Sequence, residues 1–99
     1  MKTIAVTARH IRLGRYHRTS NTLCPVARAL HAAGLKKAQV GVSTAWTEYD
    51  VSTGKFTGLI ALPKAAFNFI ENKLIRDPKS MKPFKFKLTD KQVAALRGK

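Results

Sequence analysis

Ile4 and Val6 alternate with Thr3 and Ala5, the two-residue period of a strand with one buried face, and predict a first strand over residues 3–6. Thr7 stands where a helix cap belongs, ahead of a short helix over 8–13 that Gly14 ends. Residues 14–23, Gly-Arg-Tyr-His-Arg-Thr-Ser-Asn-Thr-Leu, follow neither period and are dense in turn formers, so they predict a loop. From Pro25 the spacing changes. Proline suits the first turn of a helix because its missing N–H would be unpaired there in any case. Val26, Ala29, Leu30 and Ala33 fall on one helical stripe, which Gly34 closes.

Val40, Val42 and Trp46 restore the strand period, and Ser52-Thr53-Gly54 forms a turn between two β-like runs. Residues 39–62 therefore predict one antiparallel hairpin. Pro63 opens a second helix with the stripe Ala66, Phe67, Ile70 and Leu74, and Lys73 and Arg76 sit near its negative C-terminal end. Asp77-Pro78 breaks it. Phe84, Phe86 and Leu88 alternate with Lys85 and Lys87 in a last strand, and Thr89 with Gln92 forms a capping-box pattern ahead of Val93 and Leu96. Trp46, Phe56, Phe67, Phe69 and Ile70 are expected in the core.

This order (strand, short helix, helix, strand, strand, helix, strand) predicts a small α+β domain over 1–88, with two main helices on one face of an antiparallel sheet. A short C-terminal helix or tail follows over 89–99. A split β-α-β arrangement satisfies the order. So does the helix–hairpin–helix order of a double-stranded-RNA-binding module, although the lysine cluster opening that family's last helix is reduced here to Lys64.

Charge changes the picture more than composition does. The formal net charge is +14 on 99 residues. Glu48 is the first acidic residue, preceded by Lys2, Arg9, Arg12, Arg15, Arg18, Arg28, Lys36 and Lys37; from Lys73 onward only Asp77 and Asp90 oppose a second basic run. Self-repulsion of this kind works against the compact state and points to a polyanionic or acidic partner. No apolar run approaches the roughly 20 residues that span a bilayer, so no membrane association is expected. The opening segment reads as a strand and not as a signal peptide. A single cysteine, Cys24, excludes an internal disulfide and suits a reducing, cytoplasmic setting.

The richest candidate chemistry lies in the loop. Arg15 and Arg18 offer guanidinium forks for phosphate, Tyr16 a ring for stacking on a base, and His17, Thr19, Ser20 and Asn21 hydrogen-bonding groups. Arg9 and Arg12, three apart on the preceding helix, extend that surface. Lys85 and Lys87 project from the other face of the last strand as a second candidate, but lysines also protect an edge strand from unwanted pairing. Cys24 with scattered His10, His17 and His31 has no metal-ligand spacing, and a thiol at a helix N-terminus is not by itself a nucleophile. The acidic residues form no spaced acid–base pair, and there is no Gly-rich phosphate loop, so the expectation is a non-enzyme with no metal and no cofactor.

Val6-Thr7 with Ile11 and Gly14, Cys24-Pro25-Val26-Ala27, Leu62-Pro63 with Ala66 and Phe69-Ile70, and Lys82-Pro83-Phe84 with Phe86 and Leu88 occur in this order along most of the chain. As a set they resemble small uncharacterised proteins encoded by bacteriophages and prophages. That resemblance implies a phage accessory protein made in the cytoplasm of a bacterial host, and it carries no catalytic residue. The expected function is nucleic-acid binding, to DNA or RNA, mainly through phosphate contacts. The alternative is an effector that grips an acidic surface of a host protein, since both need the same positive field.

Overall fold

A computed structural model describes residues 1–97 of the chain. Strand β1 (Lys2–Val6) leads into α1 (Ala8–Gly14) and, after the loop, α2 (Pro25–Ala32). Five short strands follow: β2 (Gln39–Val40), β3 (Thr44–Trp46), β4 (Glu48–Asp50), β5 (Lys55–Thr57) and β6 (Ile60–Ala61). Helix α3 (Lys64–Phe69) continues as a π-helical segment (Ile70–Ile75), a 3₁₀ turn covers Pro78–Ser80, and β7 (Phe84–Leu88) precedes α4 (Asp90–Arg97). The α+β class and the antiparallel pairing agree with the sequence pattern, while five short strands stand between the two main helices where two were expected.

The first and last strands are partners. β1 pairs antiparallel with β7 in the register Ile4↔Phe86 and Val6↔Phe84. Alternation then sorts the side chains: Ile4, Val6, Phe86 and Leu88 are buried, while Thr3, Ala5, Lys85 and Lys87 are exposed. The inward set packs with Val26, Leu30, Leu74 and Leu96 in one core, and α2 lies against β1. Burying side chains of this size contributes about 1.5–3 kcal/mol each, the dominant favourable term.

Caps hold the helix ends. Thr7 Oγ1 accepts the His10 N–H at 3.3 Å and His10 Nδ1 accepts the Thr7 N–H at 3.1 Å, a capping box at the head of α1. At the end of α2, Gly34 (φ 96°) takes the left-handed conformation, and its N–H and that of Leu35 donate to His31 and Leu30 carbonyls at 3.0 Å. That is a Schellman ending, as the Gly34 position predicts. Gly14 works differently. Its φ is not positive, and an added Cβ would lie 2.5 Å from the Pro25 nitrogen. Its small size, and not its conformational freedom, lets α1 and α2 meet.

The middle of the chain departs from the expected hairpin. Residues 39–62 split into a three-stranded sheet, β2-β3-β6, and a separate hairpin, β4-β5. The reason lies in burial: Ala45 and Trp46 belong to the interior, whereas every residue from Glu48 to Thr57 is exposed. Phe56, expected in the core, is 43% exposed and stacks instead in a surface aromatic row with Tyr49 and the edge of Trp46. On α3, Phe67 is only half-buried while Phe69, Ile70 and Leu74 are buried. The π-helical register after Phe69 shifts that stripe away from simple α spacing.

Helix α4 is part of the domain and not an appendage. Thr89 and Gln92 form the expected capping box, with bonds of 2.9 and 3.1 Å, and Val93 and Leu96 enter the core. Gly98 and Lys99, the end of the expected tail, lie outside the described residues. No helix among the described residues is long and apolar enough to cross a membrane.

Candidate nucleic-acid interface

The Val6↔Phe84 pair brings two stretches of chain together that lie far apart in sequence. Just beyond Val6 runs α1, and just before Phe84 runs the segment 78–83. A groove forms between them. One part, about 370 Å³, is lined by Ala8, Ile11, Arg12, Arg15, Pro78, Lys79, Met81 and Pro83. An adjoining part, about 440 Å³, is lined by Arg15, Tyr16, Arg18, Pro78 and Lys79. Arg15, Pro78 and Lys79 border both, so the groove is continuous. Its floor is apolar, since Ile11 and Met81 pack against the core. Its rim carries Arg12, Arg15, Arg18 and Lys79.

The loop that supplies one wall is ordered by hydrogen bonds within it and to α2 and β2. The His17 N–H donates to the Gly14 carbonyl at 2.9 Å and the Ser20 N–H to the His17 carbonyl at 3.1 Å. Ser20 Oγ accepts the Leu23 N–H at 3.1 Å, the Arg28 guanidinium donates to the Leu23 carbonyl at 2.8 Å, and the Val40 N–H donates to the Asn21 carbonyl at 2.8 Å. These short turns leave the basic side chains outward. Arg15 lies over the Tyr16 ring, 4.7 Å from its centroid, and donates to the Tyr16 hydroxyl at 2.8 Å. Tyr16 is 79% exposed, so it does not cover the core. One side of its ring meets a cation, a geometry that pre-orients both groups. Arg18 reaches the Ile75 carbonyl at the end of the π-helical segment at 3.4 Å, a long bond that leaves most of the guanidinium's donors unused.

Among the described residues, no acidic side chain lines either part of the groove. Glu71 pairs with Arg76 at 3.3 Å, Asp90 with the Met1 amino group at 3.1 Å, and Glu48 and Asp50 lie on β4. Asp77 directly precedes Pro78 but does not line the groove. The local field is therefore positive in an apolar-floored concavity, where field lines are focused.

Of the residues singled out from sequence, Arg12, Arg15, Tyr16 and Arg18 converge here. Arg9 is exposed on α1 without lining the groove, and His17 is exposed in the loop with its backbone holding the turn. Lys85 and Lys87 sit elsewhere, on the outer face of the β1–β7 ribbon opposite Ala5 and Thr3. Lys79 was not singled out. Only the basic C-terminal run hinted at it, because nothing local in Pro78-Lys79-Ser80 marks it apart from other surface lysines.

Two other titratable groups are accounted for by structure. Cys24 is 3% exposed and caps α2 by accepting the Ala27 N–H at 3.5 Å. Burial pushes its thiol up from the ordinary value, outweighing the amide bonds from Ala27 and Val26 that pull it down. The shift runs opposite to the activation that a helix N-terminus alone can produce. Burial holds the His10 pKa below its ordinary value, with Arg9 and Arg28 adding to the effect against the ring's hydrogen bond to the Ala5 backbone, which raises it. No group of three or more His, Cys, Asp or Glu among the described residues could hold a metal ion.

No protein-family model matches the sequence, and no curated protein and no solved structure matches it significantly.

Proposed function

We propose that this chain binds nucleic acid without catalysing a reaction on it, as a small basic protein of the phage accessory type. The observation that carries this reading is the convergence of Arg12, Arg15, Arg18 and Lys79 with the exposed ring of Tyr16 on one groove that no carboxylate among the described residues lines. Guanidinium forks match phosphate oxygens bidentately, a lysine adds a point charge, and an exposed ring accepts a base. Phosphate contacts of this kind set position and affinity and carry little sequence information.

Titration of mixed-sequence DNA and RNA by fluorescence anisotropy at several salt concentrations tests it. Affinity falls steeply with salt as counterions are released. Absence of binding to either nucleic acid at low salt removes the reading. In that case the same positive groove is assigned to an acidic protein surface, of a bacterial host in the phage setting.

A further inference from the structure

A second groove flanks the other side of the segment that carries Lys79. It measures about 440 Å³ and is walled by α3 with its π-helical continuation on one side and residues 80–84 on the other. Asn68, Asn72 and Lys73 face it from the helix, and Lys82 and Phe84 from the strand segment. Pro83 borders this groove and the basic one alike, so the two adjoin across a single residue. Phe84 is half-buried and stacks on Phe69 with centroids 4.5 Å apart, giving the groove an aromatic floor. The side-chain amides of Asn68 and Asn72 make no hydrogen bond within the described residues, and no carboxylate lines the groove. The helix turns π-helical at Ile70, just where these side chains are presented; such turns are frequent at functional sites.

We infer that this second groove is a base-binding subsite, and that the protein takes a single strand running from Tyr16 over Pro83 to Asn68 and Asn72. The inference rests on the nucleic-acid reading of the basic groove. Its chemistry is specific to an unpaired strand. A duplex keeps its bases stacked inside a cylinder and is read by a convex element entering a groove. Here the ring and the amides border concavities, which only a splayed base can enter. A carboxamide offers a donor pair and an acceptor side by side, the complement of a base edge, while Lys73 and Lys82 stand beside it for the flanking phosphates.

Anisotropy titrations with a labelled single strand of mixed sequence, as DNA and as RNA, are compared with a duplex of the same length. Wild type, Tyr16→Ala and the double variant Asn68→Ala/Asn72→Ala are measured at one salt concentration. Circular dichroism first establishes that each variant is folded; all three positions are exposed, and alanine favours helix. The single strand binds more tightly than the duplex, and Tyr16→Ala weakens it roughly 5- to 150-fold through the lost stack. The asparagine double, which changes no charge, weakens single-strand binding about 10-fold and leaves duplex binding unchanged. Equal affinity for both forms, or a single-strand affinity unmoved by the asparagine double, overturns the subsite while leaving the basic groove standing. Failure to bind either form overturns the functional reading itself.

Discussion

Two double variants remove the same charge from different places and so separate a site from a diffuse field. Arg15→Ala/Lys79→Ala takes two cations from the groove, and Lys85→Ala/Lys87→Ala takes two from the ribbon face. Each lowers the net charge from +14 by the same amount, so any difference is local. Arg15 and Lys79 border both parts of the groove, and neither has a carboxylate partner among the described residues. If Arg12, Arg15, Arg18 and Lys79 each neutralise one phosphate of a single strand, the log–log salt slope from the groove alone is about −2.8. Affinity then falls about 50-fold between 50 and 200 mM salt. Losing two contacts brings the slope to about −1.4 and the fall to about 7-fold. Contacts in the second groove add equally to wild type and both variants, so the difference of about 1.4 units is the diagnostic quantity. Anisotropy across a salt series reads it directly. The ribbon variant should keep the wild-type slope. A ribbon variant that loses as much slope as the groove variant refutes the localisation, and one that alone loses slope moves the site to β7.

Three further outcomes probe the fold. Because the folded state holds His10 with a lowered pKa and uses its Nδ1 as an acceptor, the unfolded state takes up the proton first; stability is full above about pH 6.5 and is lost as pH falls below it. Thermal melts of His10→Gln, which keeps a capping acceptor, should show a smaller loss across that window than wild type; equal losses would place the pH dependence in another group. Gly14→Ala sets a methyl 2.5 Å from the Pro25 nitrogen and should lower stability by about 1–3 kcal/mol in chemical denaturation, whereas a null effect would mean that α1 can shift freely. Cys24→Ser should change stability by no more than about 1 kcal/mol and leave binding intact, and the wild-type thiol should react with a disulfide reagent only on unfolding; fast reaction in the folded protein would contradict its burial.

Local signals in the sequence specified most of the elements. Thr7, Pro25, Gly34 and the Thr89/Gln92 pair mark helix ends, and the structure uses them as such. The alternation of Phe84, Phe86 and Leu88 also identifies their buried face. What alternation does not encode is the partner strand. A two-residue period states which face is apolar, and it is equally satisfied by any neighbour of the same register. The β1–β7 pairing was therefore hidden, and with it the proximity of Lys79 to Arg12 and Arg15. Phe56 was misplaced for a related reason: an aromatic in a β-like run reads as core unless the sheet it joins is known to stand in solvent. The loop residues from Arg15 to Arg18 were recognisable because their composition, and not their period, sets them apart.

The pairing of the first strand with the last has a consequence for the protein's life on the ribosome. Helix α1 and the loop are made early, but their groove has no second wall until residues 78–83 have been synthesised and β7 has docked. Closing such a long stretch of chain is slow compared with forming local helices, because the entropy of closure is lost before the contacts are gained. A nascent chain thus displays its early arginines singly, without a built cleft around them. The cleft is a long-range construction, complete only when β7 has paired with β1.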